Sequence, residues 1–354
     1  MIIPALEATV ENKATPAFRT HLNYLEAFNR LLDQRPDFDN KTQLEHLYGR
    51  IKASGLCEAE RRMDIDEDAL KRSLSHAWGI ERLLYANQEA ASDDIVLRLA
   101  NNWACIQAYY VFYHATQALL VAKGHKRTDT HAKIQGPFIN LWSDRGVDLA
   151  PWTFVRHPGR TPIAPTSVCV DETIHNMFHC DETTAWSLCF KALKTTREDA
   201  RDEALAKKRK DKQSAKRKAW LEEEKDRIAS GKKARKQPEF SLPQLTPEEK
   251  NAVDASLRPY SVMDYLYRLR IKANYEDPDM FVDGPTRDTD SLKVYTYLCN
   301  LASATLFLSE LSILRIWGRD RFLEFHRAWH TSRKVELKIT GLWDRANYLK
   351  ARWR

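Results

Sequence analysis

Residues 103 to 122, "WACIQAYYVFYHATQALLVA", decide the fold, because they form the most apolar segment of the chain and approach the length of a membrane span. Gln107, His114, Thr116 and Gln117 interrupt the segment, and polar side chains at that density favour a buried central helix of a protein bundle over a membrane span. Upstream, "ASDDIVLRLANNW" offers Ser92 or Asp93 as an N-cap. Acidic residues follow in the first turn, where unpaired N–H groups and the helix dipole favour negative charge. The helix is predicted to run to Lys123 and stop at Gly124.

A second long core helix is predicted in "SLKVYTYLCNLASATLFLSELSILRIWG", residues 291 to 318, whose apolar rhythm falls at 294, 298, 301, 305, 308 and 311 or 312. Before it, "PYSVMDYLYRLRIKANYEDP" carries an S-x-x-D start signal at Ser261 and Asp264, keeps Val262, Leu266 and Leu269 at helical spacing, and reaches Pro278. Residues 17 to 90 read as lead-in helices through Leu22, Leu25, Phe28, Leu31 and Leu32, then Ile80, Leu83, Leu84 and Tyr85. "HAKIQGPFINLW" (131 to 142) reads as one short helix, and the prolines of residues 150 to 168 make that stretch a loop. A helix with Ile174, Phe178 and Trp186 turned inward comes next, with a break expected at Asp181 to Thr184.

Composition agrees with an all-α class. The 354 residues are 43% apolar, enough for a sizeable core, while Gly (11) and Pro (14) are sparse. The six cysteines, at 57, 105, 169, 180, 189 and 299, form no CxxC pair, which fits free thiols in a reducing cytoplasm. The N-terminus has no basic region leading into a long apolar one, so no signal peptide is expected and the protein is read as cytoplasmic.

The net charge of +7 is modest for the length and locally concentrated. Between residues 195 and 236 there are 16 Lys and Arg against 9 Asp and Glu, with almost no apolar residue beyond Leu205, Trp220, Leu221 and Ile228. Such a stretch is either a solvated helix laced with ion pairs or an arm that orders on a partner. Its cluster "KKRKDKQSAKRK" supplies Lys207, Lys208, Arg209, Lys210, Lys216, Arg217 and Lys218, which suit a phosphate backbone. The expected organisation is an N-terminal helical region (1–90), a first core half (91–195), a charged insertion (196–250), a second core half (251–318) and a basic, aromatic tail (319–354).

The run "AYYVFYHATQALLVAKGHKRTDTH", the later helix closing in "RLRIKANYED" and the long final helix together resemble HEPN-type helical domains, over roughly residues 75 to 142 and 260 to 317. The resemblance implies an HEPN-like bundle, RNA as partner, action in prokaryotic defence or toxin–antitoxin systems, and frequent homodimers. Its catalytic members are metal-independent ribonucleases in which an Arg and a His, four to six residues apart, meet at a cleft. His moves a proton and Arg stabilises the phosphorane-like transition state.

Carried onto this chain, the resemblance selects Arg270, or its neighbour Arg268, then Asn274 and Tyr275, with His114 on the aromatic helix. Asn stands where the family has His, and Asn exchanges no proton near neutral pH. Two readings stay open: an RNA- or partner-binding relative, or a nuclease whose reactive His comes from elsewhere. Arg127 and His131 have a gap of three, and Arg321 with His326 a gap of four. A structural subunit tethered by its charged arm is a third reading.

No Walker lysine loop, G-x-G-x-x-G or G-x-S-x-G is present, and no cofactor is expected. His175 and His179 share a helical face beside Cys180, but a helix turns Cys180 about 100° away from His179 and no Glu completes H-E-x-x-H, so no metal is expected. Trp329, Trp343 and Trp353 alternate with Arg and Lys, a mix that suits either base stacking or core packing.

Overall fold

The computed structural model of the chain describes residues 13–32, 41–55, 61–90, 94–142, 149–156, 182–331, 345 and 348–351. Among them the architecture is all-α, with one isolated β-bridge between Arg156 and Tyr260. The helices are α1 (Ala14–Leu31), α2 (Lys41–Ala53), α3 (Glu67–Ala90), α4 (Asp94–Ala122), α5 (Ala132–Trp142), α6 (Glu182–Ala229), α7 (Pro247–Ser256), α8 (Val262–Ile271), α9 (Met280–Asp283), α10 (Asp288–Trp317) and α11 (Arg319–Thr331). A π-helical turn, Lys272–Glu276, extends α8.

Helix α4 is the centre of the bundle, packed along α3 and α10. Its apolar composition is explained by that position: Ala104, Cys105, Ala108, Tyr109, Val111, Phe112, Ala115, Ala118 and Leu119 are all inaccessible. Gly124 ends it at φ +88°, and the N–H groups of Gly124 and His125 close on the carbonyls of Val121 and Leu120, the glycine-dependent stop that the sequence predicts. Helix α10 has the length and composition of a membrane span, but its apolar window is almost wholly buried within the bundle. Val294, Leu298, Leu301, Thr305, Leu308 and Leu311 are buried as the spacing predicts, but so is every other residue from Leu298 to Leu314, because α10 is surrounded on all sides.

The N-terminal helices belong to the same body. Helix α1 packs on α6, α9 and α10 through Phe18, Leu22, Leu25 and Phe28, and its core is continuous with that of α4 and α10. Each large apolar side chain withdrawn from water contributes roughly 1.5–3 kcal/mol. Cys105, Cys189 and Cys299 are buried thiols outside any disulfide.

The charged segment takes a form between the two that its composition allows. Helix α6 begins at Glu182, where a break was expected, and continues unbroken for 48 residues through the boundary drawn at 196, a length of about 72 Å at 1.5 Å per residue. Its first turns bury Trp186, Cys189, Phe190 and Leu193. Its distal half stands away from the core and is braced by the returning chain: the Trp220 ring meets Phe240, Gln213 donates to the Phe240 carbonyl, and Arg235 donates to Glu223 and Glu224. Helix α7 then starts on a Thr246–Glu249 capping box, and Lys212–Glu249 and Arg201–Asp254 pairs tie it back to α6.

Candidate functional site

Helix α8 opens with the Ser261 N–H and hydroxyl both donating to Asp264 Oδ2, at 2.8 and 3.0 Å, which fixes the register of the remaining turns. Residues two apart on a helix point about 200° from each other, so the two arginines of "RLR" diverge. Arg268 turns toward α6, where it pairs with Asp199 at 2.9 Å and with Glu276 at 2.6 Å. Arg270 turns toward α4, and no carboxylate pairs with it among the described residues.

The Arg270 guanidinium lies over three tyrosine rings, 5.3 Å from the centre of Tyr110, 5.8 Å from Tyr109 and 5.9 Å from Tyr267, and donates to the Tyr110 hydroxyl at 3.3 Å. These are cation–π distances. The loop after α4 brings His131 onto the same rings: its Nδ1 shares a 2.7 Å hydrogen bond with the Tyr109 hydroxyl, and its ring centre is 5.4 Å from that of Tyr267. His114, one turn beyond Tyr110 on α4, stacks on Tyr110 and meets His76 of α3 edge-on at 4.9 Å. Tyr113 completes the cluster and donates to the Thr128 carbonyl.

The electrostatics favour an anion. His114 lies among His76, Arg127 and His131, Arg270 acts on His131, and among the described residues Arg127 keeps only a loose ion pair with Asp129, at 3.8 Å. Burial first, and then the neighbouring His76, Arg127 and His131, push the His114 imidazole down to about 4. Burial and the Arg270 charge lower that of His131. Burial, Arg127 and Arg72 lower that of His76. At neutral pH His114 and His131 are therefore held in the form that accepts a proton. Arg270 Nε, Arg127 Nε and His114 Nδ1 are buried without a hydrogen-bond partner, an arrangement that an incoming acceptor or donor would relieve.

Asn274 and Tyr275, the two residues that complete the family-like motif, do not join this cluster. The turn from Lys272 to Glu276 closes through i to i+5 bonds, with the Asp277 N–H on the Lys272 carbonyl at 2.9 Å. That wider turn breaks the α-helical phase that would stack Asn274 over Arg270. Both side chains stand exposed, Tyr275 at 67%.

The alternative pair is separated as well. His326 is 4% exposed against Trp78 and His330, while Arg321 reaches Glu67 at 3.2 Å. Trp329 also packs on Trp78; Trp343 and Trp353 lie outside the described residues. So do His175, His179, Cys180, Ile174 and Phe178. Among the described residues no three His, Cys, Asp or Glu side chains gather as a metal site.

Lys207, Lys208, Arg209, Lys210, Lys216, Arg217 and Lys218 are exposed along one stretch of α6. Four acids of the arm and of α7 are engaged elsewhere, Glu223 and Glu224 by Arg235, Glu249 by Lys212, and Asp254 by Arg201, while Asp211 stands exposed among the cations. The seven cations are thus left facing solvent.

Sequence reading missed Tyr109, Tyr110, Tyr113, Tyr267 and His76 as site residues, and gave His131 only through its spacing from Arg127. The available signal was "YYVFYH", where Tyr109 and Tyr113, and Tyr110 and His114, are i,i+4 pairs on adjoining helix faces. Comparison of the chain with known protein families, curated proteins and solved structures finds no match.

Proposed function

We propose that this protein binds RNA at the Arg270 cluster and cuts it there with side-chain chemistry alone. The observation that carries the reading is the Arg270 guanidinium, held over three tyrosines without a carboxylate and sharing those rings with a neutral His131. The HEPN-like resemblance adds the setting, RNA-directed defence or toxin–antitoxin action.

In this mechanism Arg270 receives a phosphodiester and the tyrosine faces receive unstacked bases, as in single-strand recognition. His131 takes the 2′-hydroxyl proton, and the 2′-oxygen attacks phosphorus. Arg270 stabilises the charge that builds on the non-bridging oxygens, and the P–O5′ bond breaks with the 5′-oxygen taking a proton from solvent. The products are a 2′,3′-cyclic phosphate and a free 5′-hydroxyl. The exposed cations of α6 hold distant backbone through counterion release.

A homodimer accompanies this reading. Val96, Leu99 and Trp103, 46, 51 and 62% exposed, continue through Gln107, Tyr110 and His114 in steps of three and four along one face of α4. Leu83 of α3, 55% exposed, adds a neighbouring apolar position. A second copy on this stripe would bring two Arg270 clusters near the shared axis. Trp103→Glu should then halve the mass found by sedimentation.

The test of the activity is incubation with total RNA in EDTA, beside Arg270→Ala and His131→Ala. Cleavage by the wild type that both variants lose supports the nuclease. Salt-sensitive binding without cleavage leaves an RNA-binding module, and neither binding nor cleavage removes RNA from the reading.

A further inference from the structure

Beside the Arg270 cluster, α5, α6 and α8 enclose a cleft of about 250 Å³ whose lining includes Gln135, Ala200, Arg258, Asp264, Tyr267 and Ile271. Tyr267 is common to both places. It forms one wall of the cleft while its ring lies beneath the Arg270 guanidinium and against His131. The two places thus meet at one aromatic side chain.

The cleft has the features of a site for one flat, polar ring. Its volume, below the roughly 300–1,000 Å³ of pockets for drug-sized ligands, suits a single heterocycle. Tyr267, Ala200 and Ile271 supply aromatic and apolar surface. The polar groups are fixed in place: Arg258 donates to Gln135 Oε1 at 2.8 Å and to Asp264, and lies 4.7 Å over the Tyr260 ring. Asp264 is itself held by Ser261. Because Gln135 Oε1 is occupied by Arg258, the amide N–H groups of Gln135 are what remain for a ligand. On the α6 side the Thr196 hydroxyl donates to the Ala192 carbonyl, which leaves its oxygen as an acceptor, and Glu203 pairs at 3.3 Å with Arg268, also of the lining.

We infer that this cleft receives the nucleobase attached to the phosphate held at Arg270, stacking it on Tyr267 and reading an acceptor on its edge through Gln135. The inference rests on the proposed RNA reading and deepens it, by assigning base selection to α5 and α6 rather than to the arginine cluster.

The experiment is titration calorimetry with the four nucleoside 3′-monophosphates and with ribose 3-phosphate, which lacks a base. Wild-type protein is compared with Ala200→Trp, which fills the cleft, Gln135→Leu and Arg270→Ala, each checked for folding by circular dichroism. The expected result is that at least one nucleotide binds wild type about tenfold or more tighter than ribose 3-phosphate, the size of an aromatic stacking contribution. Ala200→Trp should erase that gain while leaving ribose 3-phosphate affinity unchanged, Gln135→Leu should narrow the differences among bases, and Arg270→Ala should weaken every ligand. If Ala200→Trp does not fold, Tyr267→Leu replaces it, with the base-dependent gain again expected to disappear. A base-dependent gain that survives in the folded cleft variant overturns the inference. So does wild type that binds ribose 3-phosphate as tightly as the nucleotides; in both cases the phosphate reading stands. If wild type binds none of these ligands, the RNA reading fails and the cleft assignment with it.

Discussion

Arg345 grips Glu81 with two hydrogen bonds, 2.6 and 2.8 Å long, at a point where both side chains are almost wholly buried. The same guanidinium reaches Glu310 of α10 at 3.2 Å, and Glu310 also accepts from the Trp78 indole at 2.8 Å. One cation thus joins α3 and α10 from the C-terminal segment and compensates two carboxylates. Burial raises the Glu310 carboxyl above its usual range despite Arg345.

Arg345→Met should destabilise the fold by about 3–5 kcal/mol, because it leaves two buried charges without their partner. The carboxylates of the variant then have folded pKa values raised above their unfolded ones. Their destabilisation is present at neutral pH and relieved as they protonate, so the gap between variant and wild type should narrow on acidification. Urea unfolding of both proteins at two pH values measures this, and a gap that widens toward acid would contradict the account.

Wild-type stability should nevertheless fall in acid. Burial, followed by Lys272 and Arg268, depresses His21 to about 3; burial, His330 and Arg345 depress His326 to about 3. A histidine with a folded pKa below its unfolded 6.5 resists protonation in the fold, so the unfolded chain binds more protons between about pH 3 and 6.5. Stability is full above about 6.5 and declines through that window, on the order of a few kcal/mol for each histidine. His326→Phe should flatten the decline in unfolding free energy against pH; an unchanged slope would remove His326 from the explanation.

Gly284→Ala should lower the melting temperature. A Cβ at this position would collide with the Met280 carbonyl oxygen and meet the Phe18 Cβ at 2.5 Å and the Ala14 carbonyl oxygen at 2.8 Å. The Phe18 and Ala14 contacts belong to α1 and the Met280 contact to the turn of α9 that Gly284 itself closes, so relief requires α1 to move away and the end of α9 to distort. A cost of about 1–3 kcal/mol is typical of such overpacking, and thermal unfolding of the variant reads it directly.

The bundle was legible because its signals are local and periodic. The i, i+3 and i+4 pattern of α10, the Gly124 stop and the Ser261–Asp264 start each lie within a few residues. The site was less so. Arg270 was visible as a charged helix end, but its partners Tyr109, Tyr110 and His131 are far away in the chain and meet it only through the packing of α8 on α4. Asn274 stands at the position that the HEPN-like resemblance gives to His, and the π turn takes it away from the face of Arg270. The arm's return segment was also hidden, since Trp220 and Phe240 acquire meaning only once they touch.

Replacing Lys207, Lys208, Lys210 and Lys218 with Gln should weaken RNA binding without altering the fold, since none of the ion pairs that brace the arm uses them. The slope of log affinity against log salt should become shallower by up to about 0.7 for each phosphate of a single strand that the variant no longer neutralises. An unchanged slope would take the arm out of RNA binding, whatever happens at Arg270.

The pH dependence of cleavage tests the assignment of His131. Its proton-accepting form is required, and burial together with the Arg270 charge lowers its pKa. Activity in kcat/KM should therefore hold as pH falls through the ordinary histidine value of about 6.5 and decline only below it. Arg270→Ala removes a positive charge beside the imidazole, so the acid limb of whatever activity remains should move upward, toward about 6.5, while the rate itself drops on the order of 10²–10³-fold. Asn274→Ala should change neither the rate nor the limb. A profile measured from about pH 5 to 8 separates the cases: a rate loss in Arg270→Ala with no movement of the limb would leave Arg270 as a phosphate ligand and assign the proton transfer to a group other than His131.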